Sequence, residues 1–176
     1  WRVGAEKRDP AVYRRVRACG ANVVRAGEAD PGSVRTVAAK DGIPTITVEM
    51  GRADRCQPAL IDRASEGVRS VLGEFDVAPG PVTWPGWTKV VDAQSEKAWL
   101  RADTGGLVEM RYGDVPLVHA GDTVCTISDH FKTEETRVAA PFTGLIVGVL
   151  QNPVAAPGHP LCHLVGVDES TRREIE

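Results

Sequence analysis

The sequence predicts an α/β layer followed by a small all-β unit, and three observations carry that reading. From Asp9 to about Gly73, helical patterns alternate with short strands that are apolar on both faces, the signature of a parallel sheet covered by helices. Beyond Trp87 the hydrophobic period becomes two and turn residues become frequent. That later stretch also repeats itself: Gly106-Leu107-Val108 matches Gly144-Leu145-Ile146, and Ala120-Gly121-Asp122-Thr123-Val124-Cys125-Thr126-Ile127 matches Pro157-Gly158-His159-Pro160-Leu161-Cys162-His163-Leu164.

Each element follows from local punctuation. Asp9 caps a helix that opens on Pro10 and ends at Gly20, with Val12, Val16 and Cys19 on one face. Ala21 to Arg25 reads as a strand. Ser33 or Asp30 caps a second helix through Val34, Val37 and Ala38, closed by Gly42. Ile43 to Met50 reads as a second, buried strand, and Leu60, Ala64, Val68 and Val71 mark a longer amphipathic helix that ends near Gly73 and contains Gly67. Val77 to Trp87 holds too many Pro and Gly residues for a regular element, so it separates the halves. Its Trp84 and Trp87 read either as anchors pinning a linker or as an aromatic ligand platform. The expected organisation is a partial α/β domain over residues 1–78, a linker at 79–87, a β domain with an internal repeat at 88–170 and a tail at 171–176.

Composition narrows the function classes. Hydrophobic residues make up 42% and charged residues 26%, and no run of about 18 apolar residues could span a membrane as a helix. A net charge of −3 with scattered Arg gives no basic stripe for a phosphate backbone, which disfavours nucleic acid. Cys19, Cys56, Cys125 and Cys162 form no C-x-x-C pair, so a reducing cytoplasm is the expected setting. The chain opens on Trp1, which suggests a piece of something longer.

Glu49 is the first functional candidate. A carboxylate ending a buried strand costs several kcal/mol unless a cation or donors compensate it, so it is expected at a cleft as a general base, or paired with Arg52 or Arg55. His159, Cys162 and His163 are close in sequence, but Pro157, Gly158 and Pro160 forbid a helix, and strand neighbours point to opposite faces. His119 and His130 read as surface residues, and Thr104-Gly105-Gly106 lacks the helix and the Lys of a phosphate loop.

The run Gly42-Ile43-Pro44-Thr45-Ile46-Thr47-Val48-Glu49-Met50-Gly51, preceded by Ser33-Val34-Arg35 and Ala38-Ala39, resembles the succinylglutamate desuccinylase and aspartoacylase family. Gly105-Gly106-Leu107, Ala120-Gly121-Asp122 and Ala140-Pro141-Phe142-Thr143-Gly144 extend the resemblance to the C-terminal domain of its bacterial members. The resemblance implies the C-terminal part of a carboxypeptidase-like parallel or mixed sheet, then a domain similar to the barrel-sandwich hybrid fold of biotinyl and lipoyl domains. It also implies a zinc-dependent hydrolase that cleaves the amide bond of an N-acyl amino acid, with Glu49 as catalytic base and Arg35 gripping the substrate carboxylate. Arg35 also reads as an ordinary solvated helix residue. The family's zinc ligands are a His-x-x-Glu pair and a later His, all upstream of the matching region, and the first histidine here is His119. The metal is therefore expected to be held outside this chain, which alone is expected to be inactive. An exposed strand edge would favour self-association. The alternative is a binding or carrier module, with Lys132 between the repeats as the residue to modify.

Overall fold

In the computed structural model, which describes residues 2–5, 10–21, 23–27, 30–52, 55–80, 89–92, 95–111 and 116–175, the chain forms two units, Trp1–Gln94 and Ser95–Glu176. The first contains β1 (Arg2–Ala5), α1 (Pro10–Cys19), β2 (Val23–Ala26), α2 (Val34–Lys40), β3 (Thr47–Glu49), α3 (Pro58–Glu74) and β4 (Lys89–Asp92). Pro10 sits at the start of α1, where its missing N–H costs nothing, and Gly20 ends the helix at φ +72°. The expected cap Asp9 lies outside the described residues, as do Trp84 and Trp87. Ser33 caps α2 by accepting the Thr36 N–H at 3.2 Å.

The first sheet has the order β3-β1-β2-β4 and is mixed: β1, β2 and β4 are parallel, and β3 runs antiparallel beside β1. Two sequence expectations are corrected here. The strand expected over Ile43 to Met50 is only Thr47–Glu49, and all three residues are exposed on the sheet edge. Pro44 has no N–H to give a ladder, and the Thr45 hydroxyl donates to the Ile43 carbonyl at 2.9 Å, so this segment satisfies itself locally. The second correction concerns the division of the chain. Lys89–Asp92 was expected to open the β domain but pairs in parallel with β2, so the chain returns to the first sheet after its Pro/Gly-rich stretch.

Val12, Val16 and Cys19 of α1 pack with Ala21 and Val24, and Ile46 and Val71 close over them. α3 turns Gly67 and Ser70 inward, and small residues on that face let α1 approach closely. Gly67, a weakness for an isolated helix, is therefore a packing residue here. The two helices are tied at their ends as well. Arg63 donates to the Gly20 carbonyl at 3.1 Å, Arg14 pairs with Glu74 at 2.8 Å, and the Arg15 guanidinium lies 4.1 Å from the centre of the Phe75 ring.

The second unit contains β5 (Lys97–Arg101), β6 (Gly106–Met110), β7 (Leu117–Val118), β8 (Thr123–Ser128), β9 (Glu135–Ala139), β10 (Gly144–Val149), β11 (Val154–Ala155), β12 (Pro160–Gly166) and α4 (Glu169–Ile175). The strands make two antiparallel sheets, β5-β12-β10-β7 and β11-β6-β8-β9. One core cluster joins Val124 of β8 to Ile146 and Leu164 of the other sheet, and a second joins Cys125 and Ile127 to Leu161. Burying a Leu or Ile of this kind stabilises by roughly 1.5–3 kcal/mol.

The two sequence repeats start in the same register, Leu107 facing Ser128 as Leu145 faces Val165, until a bulge after Ile146 shifts the second copy by one residue. A side chain at Gly106 would strike the Ser128 carbonyl, and one at Gly144 the Val165 carbonyl, so both copies need glycine at the same contact. Cys125 and Cys162 hold corresponding places in the two copies. Burial, and to a lesser degree the nearby Cys125, pushes the Cys162 thiol up to about 11, so it remains a protonated, unreactive core group at neutral pH.

Candidate active site

Glu49 ends β3, with its Cα opposite that of Arg2 in the ladder. It is exposed, and the backbone that follows is fixed. Gly51 turns the chain at φ +72°, and the Gln57 side chain accepts the Arg52 N–H at 2.8 Å before Pro58 starts α3. A Cβ on Gly51 would stand 3.0 Å from that same Gln57 oxygen, so the turn is closed around glycine. The carboxylate is thus presented to solvent from a strand end braced on both sides. The expectation of a buried parallel strand ending in Glu49 is replaced by an exposed antiparallel edge strand.

Arg35 is buried, unlike an ordinary solvated helix residue. It is 8% exposed, whereas Val34 beside it is 83% exposed and Val37 50%. α2 therefore buries its arginine and turns its valines outward, so Arg35 is not an ordinary solvated residue. Glu49 and Arg35 belong to the same unit, Glu49 on its exposed edge and Arg35 buried on α2.

Between β3 and α3 lies an apolar groove of about 250 Å³ lined by Ile46, Val48, Met50, Val68, Val71 and Leu72, among others. The sequence reading missed it. Its signal was the run of apolar residues at Val48, Met50 and Val68, which was assigned to a core.

The histidines have structural surroundings. His119 lies 3.5 Å from the Asp122 carboxylate, His130 meets the Phe131 ring edge-on at 5.2 Å, and His159 accepts the Ala156 N–H at 3.3 Å. His163, 6% exposed, stacks on Trp99 with ring centres 4.5 Å apart and 8° between planes. Lys132 sits at φ +54° in the turn joining β8 to β9, 3.9 Å from Glu109. Among the described residues, no group of three His, Cys, Asp or Glu side chains could hold a metal ion. Zinc does not fit the described residues.

Solved structures share this architecture. The apo ectoine utilization protein EutE (DoeB) of Ruegeria pomeroyi superposes with a TM-score of 0.81 at 16% identity, over 94% of this chain and 55% of its own. A succinylglutamate desuccinylase from Silicibacter sp. TM1040 gives 0.76 at 18% identity, over 93% and 53%. A succinylglutamate desuccinylase/aspartoacylase from Rhodobacter sphaeroides gives 0.76 at 17%, over the same shares. The chain has the succinylglutamate desuccinylase/aspartoacylase fold. It spans about half the length of these structures. No family model matches it, and no curated protein does. Among the described residues, no helix is long and apolar enough to cross a membrane.

Proposed function

We propose that the chain is the C-terminal portion of a hydrolase that cleaves the amide bond of an N-acyl amino acid, with Glu49 as its general base. The observation that carries this reading is a solvent-open carboxylate, braced by the Gly51–Gln57 turn, within a fold that succinylglutamate desuccinylase/aspartoacylase structures share. In this reading Glu49 takes a proton from water as the hydroxide oxygen bonds to the acyl carbon. It then returns that proton to the nitrogen as the carbon–nitrogen bond breaks, releasing a carboxylate and an amino acid. Zinc belongs to the intact enzyme, held by ligands outside this chain. Arg35 is assigned to the substrate carboxylate in the completed site, where an arginine fork would bind it through two parallel hydrogen bonds. A cytoplasmic setting goes with free thiols at Cys19, Cys56, Cys125 and Cys162.

The test is Glu49→Gln in the intact protein, assayed on a panel of N-acyl amino acids. Turnover should fall by about 10²-fold or more while zinc content stays constant. Unchanged turnover removes Glu49 from the mechanism.

A further inference from the structure

We propose that the outer edge of β5 receives an extended acidic peptide as an added strand, with a planar side chain of that peptide stacking on Trp99 between two of its carboxylates. The surface belongs to the second unit and does not depend on the hydrolase reading.

Among the described residues, β5 is the end strand of its sheet, paired with β12 on one side alone. The Gly166 N–H donates to the Glu96 carbonyl at 2.8 Å, and the Ala102 N–H to the His159 carbonyl at 3.0 Å. Antiparallel pairing alternates, so Glu96, Ala98, Leu100 and Ala102 turn main-chain groups toward β12, whereas Lys97, Trp99 and Arg101 turn theirs off the edge. The same three residues share one face of the strand, and all three are exposed. Trp99 is 53% exposed although one side of its ring lies flat on His163, with 4.5 Å between ring centres and 8° between planes. His163 is its direct partner across the ladder, so the stack runs from β12 to β5. Its open end is the far side of the Trp99 ring.

The occupant follows from spacing and charge. A strand added at this edge sets one side chain opposite Trp99, as His163 is on the other side, and the side chains two residues away opposite Lys97 and Arg101. A planar ring flanked by carboxylates at those two places matches all three. Arg101 is held in position by donating to the Gly158 carbonyl at 2.8 Å, a neutral acceptor that leaves its charge in place. A second copy of this chain is the wrong occupant, because pairing about Trp99 in either direction sets Lys97 and Arg101 against cations. A single-stranded nucleic acid would also stack and meet cations, but it has no peptide backbone to match donors and acceptors at strand spacing.

The probe is the capped, fluorophore-labelled peptide Thr-Glu-Thr-Tyr-Thr-Glu-Thr, with Thr-Lys-Thr-Tyr-Thr-Lys-Thr as control, each titrated with the 176-residue chain and followed by anisotropy. The Glu peptide should bind about 10-fold more tightly than the Lys peptide, and Trp99→Ala should weaken its binding by about 10-fold. Lys97→Glu combined with Arg101→Glu should reverse the preference, which a variant that had merely unfolded could not do. The bound Glu peptide should also slow amide exchange at Lys97, Trp99 and Arg101, whose N–H groups point off the edge. Equal affinity for the two peptides overturns the proposal, as does absence of binding or binding that Trp99→Ala leaves unchanged. Unaltered exchange at the three amides removes the added strand. Oligothymidylate that binds more tightly than the Glu peptide and depends on Trp99 also overturns it, because the occupant is then a nucleic acid.

Discussion

The two units solve the same problem, hiding apolar side chains, with different success. In the second unit Val124, Cys125, Leu161, Cys162 and Leu164 have no exposed surface, because two antiparallel sheets cover each other. In the first, α1 and α3 shield Val12, Val16 and Val24, while Val34, Val37, Ile43, Val48, Met50, Ile61 and Val68 stay exposed. The difference is architectural. Two facing sheets close a core between themselves, whereas the mixed sheet of the first unit leaves an apolar groove open between β3 and α3. The candidate catalytic carboxylate, Glu49, belongs to the first unit, on its exposed edge strand.

The contrast can be broken most sharply by cavity formation. Leu164→Ala should cost about 2–5 kcal/mol, whereas Val68→Ala should change stability by no more than about 0.5 kcal/mol. Chemical denaturation followed by a probe in each unit measures both, and equal losses would erase the distinction. A second, smaller effect tests the symmetry of the closed unit. Gly106→Ala and Gly144→Ala each force a methyl group against a carbonyl of the paired strand, and each should cost about 1–3 kcal/mol. A loss at one position alone would show that the repeats share their starting register but not their packing.

The smallest effect sharpens the picture at the tip of the β8–β9 hairpin. The Thr133 hydroxyl donates to Asp129 at 2.6 Å, the Glu134 N–H at 3.2 Å and the Thr133 N–H at 2.7 Å, which hold the Asp129 carboxyl below its ordinary range. A group whose folded value is depressed contributes fully above its unfolded value, near about 4, and loses that contribution as pH falls through the folded value. Amide exchange at Thr133 and Glu134 should therefore quicken in acid before exchange at Cys125 and Ile127 does. In Asp129→Ala the two turn amides should exchange quickly at every pH, and unaltered protection would show that the turn holds without its carboxylate.

Much of the fold was legible in sequence because its signals are local. Pro10 and Gly20 delimit α1, Ser33 caps α2, and the repeat pointed to two copies of a strand, turn and strand unit. Pro157, Gly158 and Pro160 excluded a helix around Cys162 and His163, which lie on β12. Glu49 stood out because a charge ends an apolar run. The reading failed where a short apolar run was taken for burial. Ile43 to Met50 has the composition of a central strand, but Pro44 and the Thr45 hydroxyl remove its first half from any ladder, and the remainder lies on an edge. Arg35 and the valines of α2 were equally unreadable, since a helix of seven residues carries no periodicity long enough to say which face a neighbour will cover.

The sequence by itself determined where α1 and α2 start and stop, where the period changes to two and which stretch is duplicated. Each of these depends on a residue's own backbone preferences and those of its near neighbours. Only the tertiary structure decided that β3 is an antiparallel edge, that α2 buries its arginine, that β4 returns to the first sheet and that a groove opens between β3 and α3. Those outcomes depend on which distant surfaces meet, and burial is a property of the assembled sheet rather than of the segment that enters it.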